Sequence, residues 1–218
     1  MNSHLFKIIS EKLTKQTSLA FFVAGSLLLG STLLKGLHWF TEVSPPVILI
    51  ALIASAGLLT AFIGIIGLYA RLTAYSKHLS YLGTIYSVGT AGIVTLMFGW
   101  VILDHILRAF EIASLGSLPE IVFLVVIALI AMAFIFVSIT VTVADVVSDL
   151  VGYFLFGFIA TWIGLLGLEI IVNGNVPNWI YFGIYSFQPI TLLSIGYYLN
   201  SESETVRHKT ENPITSTG

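Results

Sequence analysis

The chain has 218 residues, of which 57% are hydrophobic and only 9% are charged. Its mean hydropathy is +0.99, and so few polar side chains do not cover the surface of a soluble domain of this size. A net charge of −2 without a basic stripe argues against nucleic-acid binding, and the lack of cysteine excludes disulfides, thiolate metal sites and iron–sulfur clusters. The composition predicts an integral membrane protein.

Six apolar stretches follow one another along the chain, and each is long enough to cross a membrane. A hydrocarbon core about 30 Å thick needs roughly 20 helical residues at about 1.5 Å each. The stretches do not alternate between apolar and polar residues, which favours helices over barrel strands. The predicted spans are residues 18–40, 46–70, 81–104, 119–143, 150–172 and 178–199. We therefore predict an all-α bundle of six transmembrane helices.

The two terminal segments are more polar than the spans. Residues 1–17 have the pattern of a short amphipathic helix in the membrane interface, or are only a basic lead-in to the first span. Residues 35–38 (Lys-Gly-Leu-His) follow the apolar run of the first span in place of a small-residue cleavage site, which indicates a retained signal anchor. Residues 200–218 are rich in Ser, Thr and Glu, and we expect a disordered cytoplasmic tail.

Positive charge predicts the orientation of the bundle. Lys35 and Arg108 are the two exceptions to a one-sided distribution of Lys and Arg. The other seven are Lys7, Lys12, Lys15, Arg71, Lys77, Arg207 and Lys209. Because cytoplasmic loops carry the excess of positive charge, both termini are predicted to be cytoplasmic, with the protein in the cell membrane.

Turn and cap signals separate the spans. Helix starts are predicted at Ser44, which precedes a proline, and at residues 117–120, which match a capping box. A tight hairpin is predicted at residues 173–178. Asp145 and Asp149 mark the turn between the fourth and fifth spans, with Ser148 or Asp149 as cap. The two aspartates either solvate this turn or dock a basic segment of a partner.

A glycine pattern recurs one hundred residues apart. It comprises Gly57, Gly64 and Gly67 in the second span and Gly157, Gly164 and Gly167 in the fifth. One interpretation is helix packing, since small residues allow close approach of helices in lipid. The other is an inverted repeat of three plus three helices, as in many secondary transporters.

Ionisable side chains gather at one end of three helices rather than near the middle of the bilayer. The candidate ligand or proton site comprises His38, Asp104, His105, Arg108 and Glu169. One interpretation is a set of local ion pairs around Arg108, and a second is an entrance for a proton or solute. A third is a haem or metal held by His38 and His105.

Residues 67–72 (Gly-Leu-Tyr-Ala-Arg-Leu), followed by residues 80–83 (Ser-Tyr-Leu-Gly), carry the one resemblance to a known group. The stretch resembles small multi-spanning membrane proteins of archaea and bacteria, whose second helix often ends in Gly-Leu-Tyr-x-Arg. This resemblance implies a membrane protein, but no activity, cofactor or catalytic residue.

No catalytic motif for acyl transfer, metalloproteolysis or nucleotide binding occurs in the sequence. We therefore predict a non-catalytic accessory, assembly or membrane-stabilising protein, with no cofactor or metal. Its expected partners are the lipid bilayer and another membrane protein or a second copy. The alternative is a small transporter or channel with Glu169 as the coupling carboxylate, and the third hypothesis is a membrane haem protein or an intramembrane enzyme.

Overall fold

A computed structural model describes residues 3–72, 75–112, 114–116, 119–144, 147–172 and 176–211. The described side chains lie within residues 16–201, apart from these gaps and residues 120 and 123. Over this part the chain is all-helical and has no strand. The six helices are α1 (Ser3–Phe40), α2 (Val47–Leu72), α3 (Lys77–Ala109), α4 (Glu120–Ala144), α5 (Asp149–Ile171) and α6 (Asn178–Glu211).

Consecutive helices run antiparallel, and each packs against the next. The α6 helix returns to α1, so the six helices form a ring, and α2 also touches α4 across it. We call the end with the α1–α2, α3–α4 and α5–α6 connections the distal end of the bundle. The opposite, proximal end holds the other two connections.

Five helices contain a stretch long and apolar enough to cross a membrane: Gln16–Phe40, Val47–Leu72, Lys77–Ala109, Leu124–Ala144 and Asp149–Ile171. The α6 helix is more polar, because Gln188, Pro189 and Thr191 interrupt its apolar sequence. The described structure therefore confirms the helical bundle, with five helices that meet the length and hydropathy expected of a span.

Two helices extend beyond the predicted bounds. The α1 helix begins at Ser3, so residues 3–17 are helical and continuous with the helix of the first span. The α6 helix continues to Glu211, so residues 200–211, expected to be disordered, are helical. No glycine or proline interrupts either extension, and the helical hydrogen bonding continues from the preceding turns.

Close contact between α1 and α2 depends on the predicted glycines of α2. A Cβ atom at Gly64 would lie 2.8 Å from the ring of Phe21, and one at Gly57 would lie 3.0 Å from Leu28. A Cβ at Gly67 would collide with Thr17. Because lipid provides no hydrophobic drive for helix association, close packing of this kind stabilises the pair by van der Waals contact.

The corresponding glycines of α5 have different surroundings. A Cβ at Gly157 would make ordinary contacts at 3.6 Å with Phe187 and 3.9 Å with Thr191. At Gly164 and Gly167 it would meet no atom of the described chain within 4 Å. The packing role predicted for these two glycines is therefore not found within the described chain, and the two helices are not equivalent in their contacts.

Aromatic rings fill the centre of the bundle between α2, α4 and α5. The Phe134 ring stacks on Phe158 with centroids 4.6 Å apart, and Phe62 meets Phe134 edge-on at 5.9 Å. All three side chains are at most 1% exposed. Such pairs contribute about 0.5–1.5 kcal/mol each beyond the burial of their area.

The α3 helix lies at the loosely packed side of the ring. Of its most apolar 18-residue stretch only 17% is buried, compared with 44% in α1 and 39% in α2. Its buried residues lie mainly in the proximal half, where the Ser80 hydroxyl donates to the Tyr69 carbonyl at 2.6 Å. The distal half of α3 therefore exposes much of its surface.

Candidate functional site

Asp104, near the distal end of α3, holds the chain that leaves this helix. Its carboxylate accepts hydrogen bonds from the Arg108 guanidinium at 2.8 Å, the Leu115 backbone N–H at 2.8 Å and the Ser114 hydroxyl at 3.2 Å. The Asp104 residue is 8% exposed. Charge-assisted bonds to a buried carboxylate are stronger than neutral ones, so this network anchors the loop to α3.

The two histidines of the candidate site make local contacts. The Nδ1 atom of His105 lies 3.2 Å from the Val101 carbonyl of its own helix. The Nδ1 atom of His38 lies 3.5 Å from the Ser44 hydroxyl. Because α2 lies between α1 and α3, the structure does not bring the two rings together as ligands of one haem. The described residues contain no group of three His, Asp or Glu placed to hold a metal ion.

Glu169 lies apart from Asp104, in the distal hairpin of α5 and α6. The Tyr181 hydroxyl donates a hydrogen bond of 2.8 Å to its Oε1 atom. The ring of Tyr181 stacks on Tyr185 with centroids 6.4 Å apart, and Trp39 of α1 lies 5.9 Å from Tyr181 and 6.1 Å from Tyr185. Glu169 is therefore tied to an aromatic group built by three helices.

Lys35 joins the same group. Its Nζ atom lies 4.0 Å from the centroid of the Tyr185 ring, within the range of a cation–π interaction. The Trp162 indole of α5 meets Tyr185 edge-on, with centroids 6.1 Å apart and an interplanar angle of 88°. We call Lys35, Trp39, Trp162, Glu169, Tyr181 and Tyr185 the distal aromatic cluster.

Comparisons of the chain with known protein families, curated proteins and solved structures give no match. Any functional argument therefore depends on the geometry of the described residues.

An apolar cavity of about 230 Å³ adjoins the distal aromatic cluster. It lies between α2, α3, α4 and α5, with Leu58, Phe98 and Ile130 among its walls. Trp162 belongs to both regions, because its indole lines the cavity and also packs against Tyr185. Glu169 is not among the described lining residues.

The structure thus divides the five candidate residues between separate places. Asp104 and Arg108 belong to the loop network, Glu169 belongs to the distal aromatic cluster, and the histidines belong to neither. The proposed docking pair is only partly described: Asp149 is the exposed first residue of α5, and Asp145 lies outside the described residues.

Sequence reasoning missed Tyr181, Tyr185 and Trp162 as members of a site. The two tyrosines are four residues apart, a spacing that places them on one helical face. That signal was present in the sequence. The approach of Lys35 and Trp39 was not, because it depends on the contact between the first and last helices.

Proposed function

We propose that this protein is a non-catalytic assembly or accessory protein, which binds a transmembrane helix of another membrane protein through an exposed face of α3. The proposal extends to the cell membrane as its location, to cytoplasmic termini and to a span formed by α6. Support for that span comes from the contact of α6 with α1, which extends over the length of the first span. At one end the Ser18 hydroxyl donates to the Gly196 carbonyl at 2.7 Å, and at the other end Gly36 lies beside Phe182.

The observation that carries the proposal is a row of small, exposed residues on α3. Gly89, Gly92 and Gly99 are spaced by three and seven residues, which places them on one face. A Cβ at any of them would meet no atom of the described chain within 4 Å. Thr95 belongs to the same face, and its hydroxyl donates back to the Ala91 carbonyl at 2.8 Å.

Small residues on a membrane helix allow another helix to approach closely, which large apolar residues prevent. This protein uses that chemistry within its own chain, where Gly64 admits the Phe21 ring. The α3 face offers glycines that no residue of the described chain covers, beside the exposed side chain of Leu96. A second helix packed on this face would contact the glycines more closely than lipid chains do, and the closer packing would favour the pair.

The cavity supports the accessory function over transport. Its described walls are apolar apart from the Trp162 indole, and a path for ions or polar solutes needs polar groups along its length. Glu169, the expected coupling carboxylate, accepts its hydrogen bond from Tyr181 in a separate cluster.

The test uses the absence of native cysteine, which lets a single introduced thiol report its neighbours. A Gly92→Cys variant carrying a photoactivatable benzophenone is irradiated in native membranes, and the adducts are analysed by mass spectrometry. Gly183→Cys is the matched control, because Gly183 is also exposed and a Cβ there also meets nothing within 4 Å.

We expect a protein adduct of defined mass from position 92 and lipid adducts from position 183. Leucine at Gly89 and Gly99 should abolish the protein adduct, because two bulky side chains fill the face. Lipid adducts alone at position 92, or a protein adduct that persists with both leucines, would contradict the proposal.

A further inference from the structure

Two buried N–H groups, one on α5 and one on α6, have no hydrogen-bond partner in the described part of the chain. They are the Nε1 atom of Trp162 and the Nε2 atom of Gln188, whose side chain is 4% exposed. Buried polar groups are nearly always bonded, because an unsatisfied one retains its full desolvation cost. Each such exception needs an explanation, and an absent ligand with hydrogen-bond acceptors is one.

One of the two donor residues contacts the Tyr185 ring, and the other lies one helical turn from Tyr185. The Trp162 indole meets Tyr185 edge-on at 6.1 Å, and Gln188 follows Tyr185 by three residues on the same face of α6. The Lys35 ammonium lies over that ring at 4.0 Å. The cation and one unsatisfied donor group therefore contact the Tyr185 ring, and the second donor lies about one helical turn further along α6.

Lys35 lacks a counter-ion among the described side chains. The ion pair among those side chains joins Arg108 to Asp104, and no described carboxylate lies within 4.0 Å of the Lys35 ammonium. The carboxylate of the cluster, Glu169, accepts from Tyr181. A tyrosine ring stabilises a cation less strongly than an anion does in a partly buried site. The group that best complements the charge of Lys35 is therefore an anion.

The adjoining cavity adds an apolar compartment on the other side of Trp162. An apolar cavity of about 150 Å³ is large enough to bind benzene. The volume of about 230 Å³ found here therefore accommodates a length of one hydrocarbon chain. The Trp162 indole joins two regions, the group that contains Lys35 and the unsatisfied donors and the apolar cavity. This arrangement suits an amphiphile with a small anionic head.

We propose that the protein binds a fatty acid, with its carboxylate between Lys35, Trp162 and Gln188 and its chain in the apolar cavity. A carboxylate supplies acceptor oxygens for the two unsatisfied donors and a charge for the ammonium. A single chain suits the cavity better than the two chains of a phospholipid, whose larger phosphate head also loses more hydration.

The experiment measures equilibrium binding of radiolabelled palmitate to the purified, delipidated full chain in a non-ionic detergent. Lys35→Met removes the charge and keeps an apolar side chain of similar length, and Lys35→Arg keeps the charge. Lys77→Met is the matched control, because it removes a positive charge from an exposed lysine at the start of α3.

Palmitate should bind with one site per chain, and Lys35→Met should weaken it about tenfold or more, as expected for loss of a charge-assisted bond. Lys35→Arg and Lys77→Met should retain most of the affinity. Methyl palmitate should compete about tenfold more weakly than palmitate, since the ester removes the negative charge.

Two further variants keep the proposal testable if Lys35→Met does not fold. Trp162→Phe removes the indole N–H and keeps a ring, and Ala131→Phe fills the cavity from α4. Both should weaken palmitate binding. Equal binding of palmitate by all variants, equal competition by methyl palmitate, or preference for a two-chain phosphatidate would each overturn the proposal. None of these outcomes bears on helix docking at α3, which concerns a different face.

Discussion

Gly64 and Gly164 occupy matching positions of the glycine pattern, yet alanine at the two sites should act in opposite directions. At Gly64 the new Cβ lies 2.8 Å from the ring of Phe21, which is fully buried, so the ring must shift against the residues packed around it. At Gly164 the new Cβ meets nothing within 4 Å. The two substitutions therefore add the same methyl group to two different environments.

The magnitudes follow from two effects. Overpacking a well-packed interior costs about 1–3 kcal/mol, and alanine in place of a helical glycine recovers up to about 1 kcal/mol. Because both variants gain the same helix propensity, Gly64→Ala should be less stable than Gly164→Ala by the overpacking cost of about 1–3 kcal/mol. Gly164→Ala should leave the stability of the protein unchanged or raise it by up to about 1 kcal/mol.

The assay is thermal unfolding of both variants and the parent chain in the same detergent, followed by intrinsic tryptophan fluorescence. A difference of about 2 kcal/mol between the variants corresponds to roughly 4–8 °C in the midpoint for a chain of this size. Equal midpoints, or a greater loss at Gly164, would refute the packing argument and restore the equivalence of α2 and α5.

Three further outcomes follow from other contacts. Asp104→Asn should speed hydrogen exchange at the Leu115 amide about tenfold, because the 2.8 Å hydrogen bond from the Leu115 N–H loses its charged acceptor. Glu111→Gln is the control, and equal exchange rates in the two variants would count against the network. Ser138→Ala should cost about 1 kcal/mol of stability, since the Ser138 hydroxyl donates to the Gly152 carbonyl at 2.6 Å and so joins α4 to α5. Ser194→Ala is the control, because it removes only a hydrogen bond within α6. Reporter fusions after Asn175 and after Ser201 should lie on opposite sides of the membrane, and the same side for both would exclude a span by α6.

The fold was largely predictable because its determinants are local. The apolar stretches are recognised from the residues they contain, and each observed helix includes most of a predicted span. The start of α5 at Asp149 also agrees with the predicted turn, and Ser148 occupies the N-cap position, although its side chain makes no capping hydrogen bond. The end of α6 is predicted less well, because the polar composition of residues 200–211 indicates a disordered tail where the helix continues to Glu211. At the start of α1 the sequence leaves a helix and a basic lead-in as alternatives, and residues from Ser3 onward are helical.

The candidate site was less predictable because its members come from distant parts of the chain. Lys35 and Tyr185 are one hundred and fifty residues apart and meet because α6 packs on α1. His38 and His105 have similar predicted depths but lie on helices separated by α2. Depth along a helix was available from the sequence, whereas the order of the helices around the ring was not.

The sequence by itself determined a helical membrane protein, the approximate position of its helices and the chemistry at their ends. These properties follow from hydropathy and hydrogen bonding within each segment, since a bilayer requires every span to satisfy its own backbone. Only the tertiary structure decided which glycines admit a neighbouring helix and which side chains gather around Tyr185. The reason is that helices apolar on every side do not specify which face turns inward; that choice depends on the fit between helices from across the whole chain.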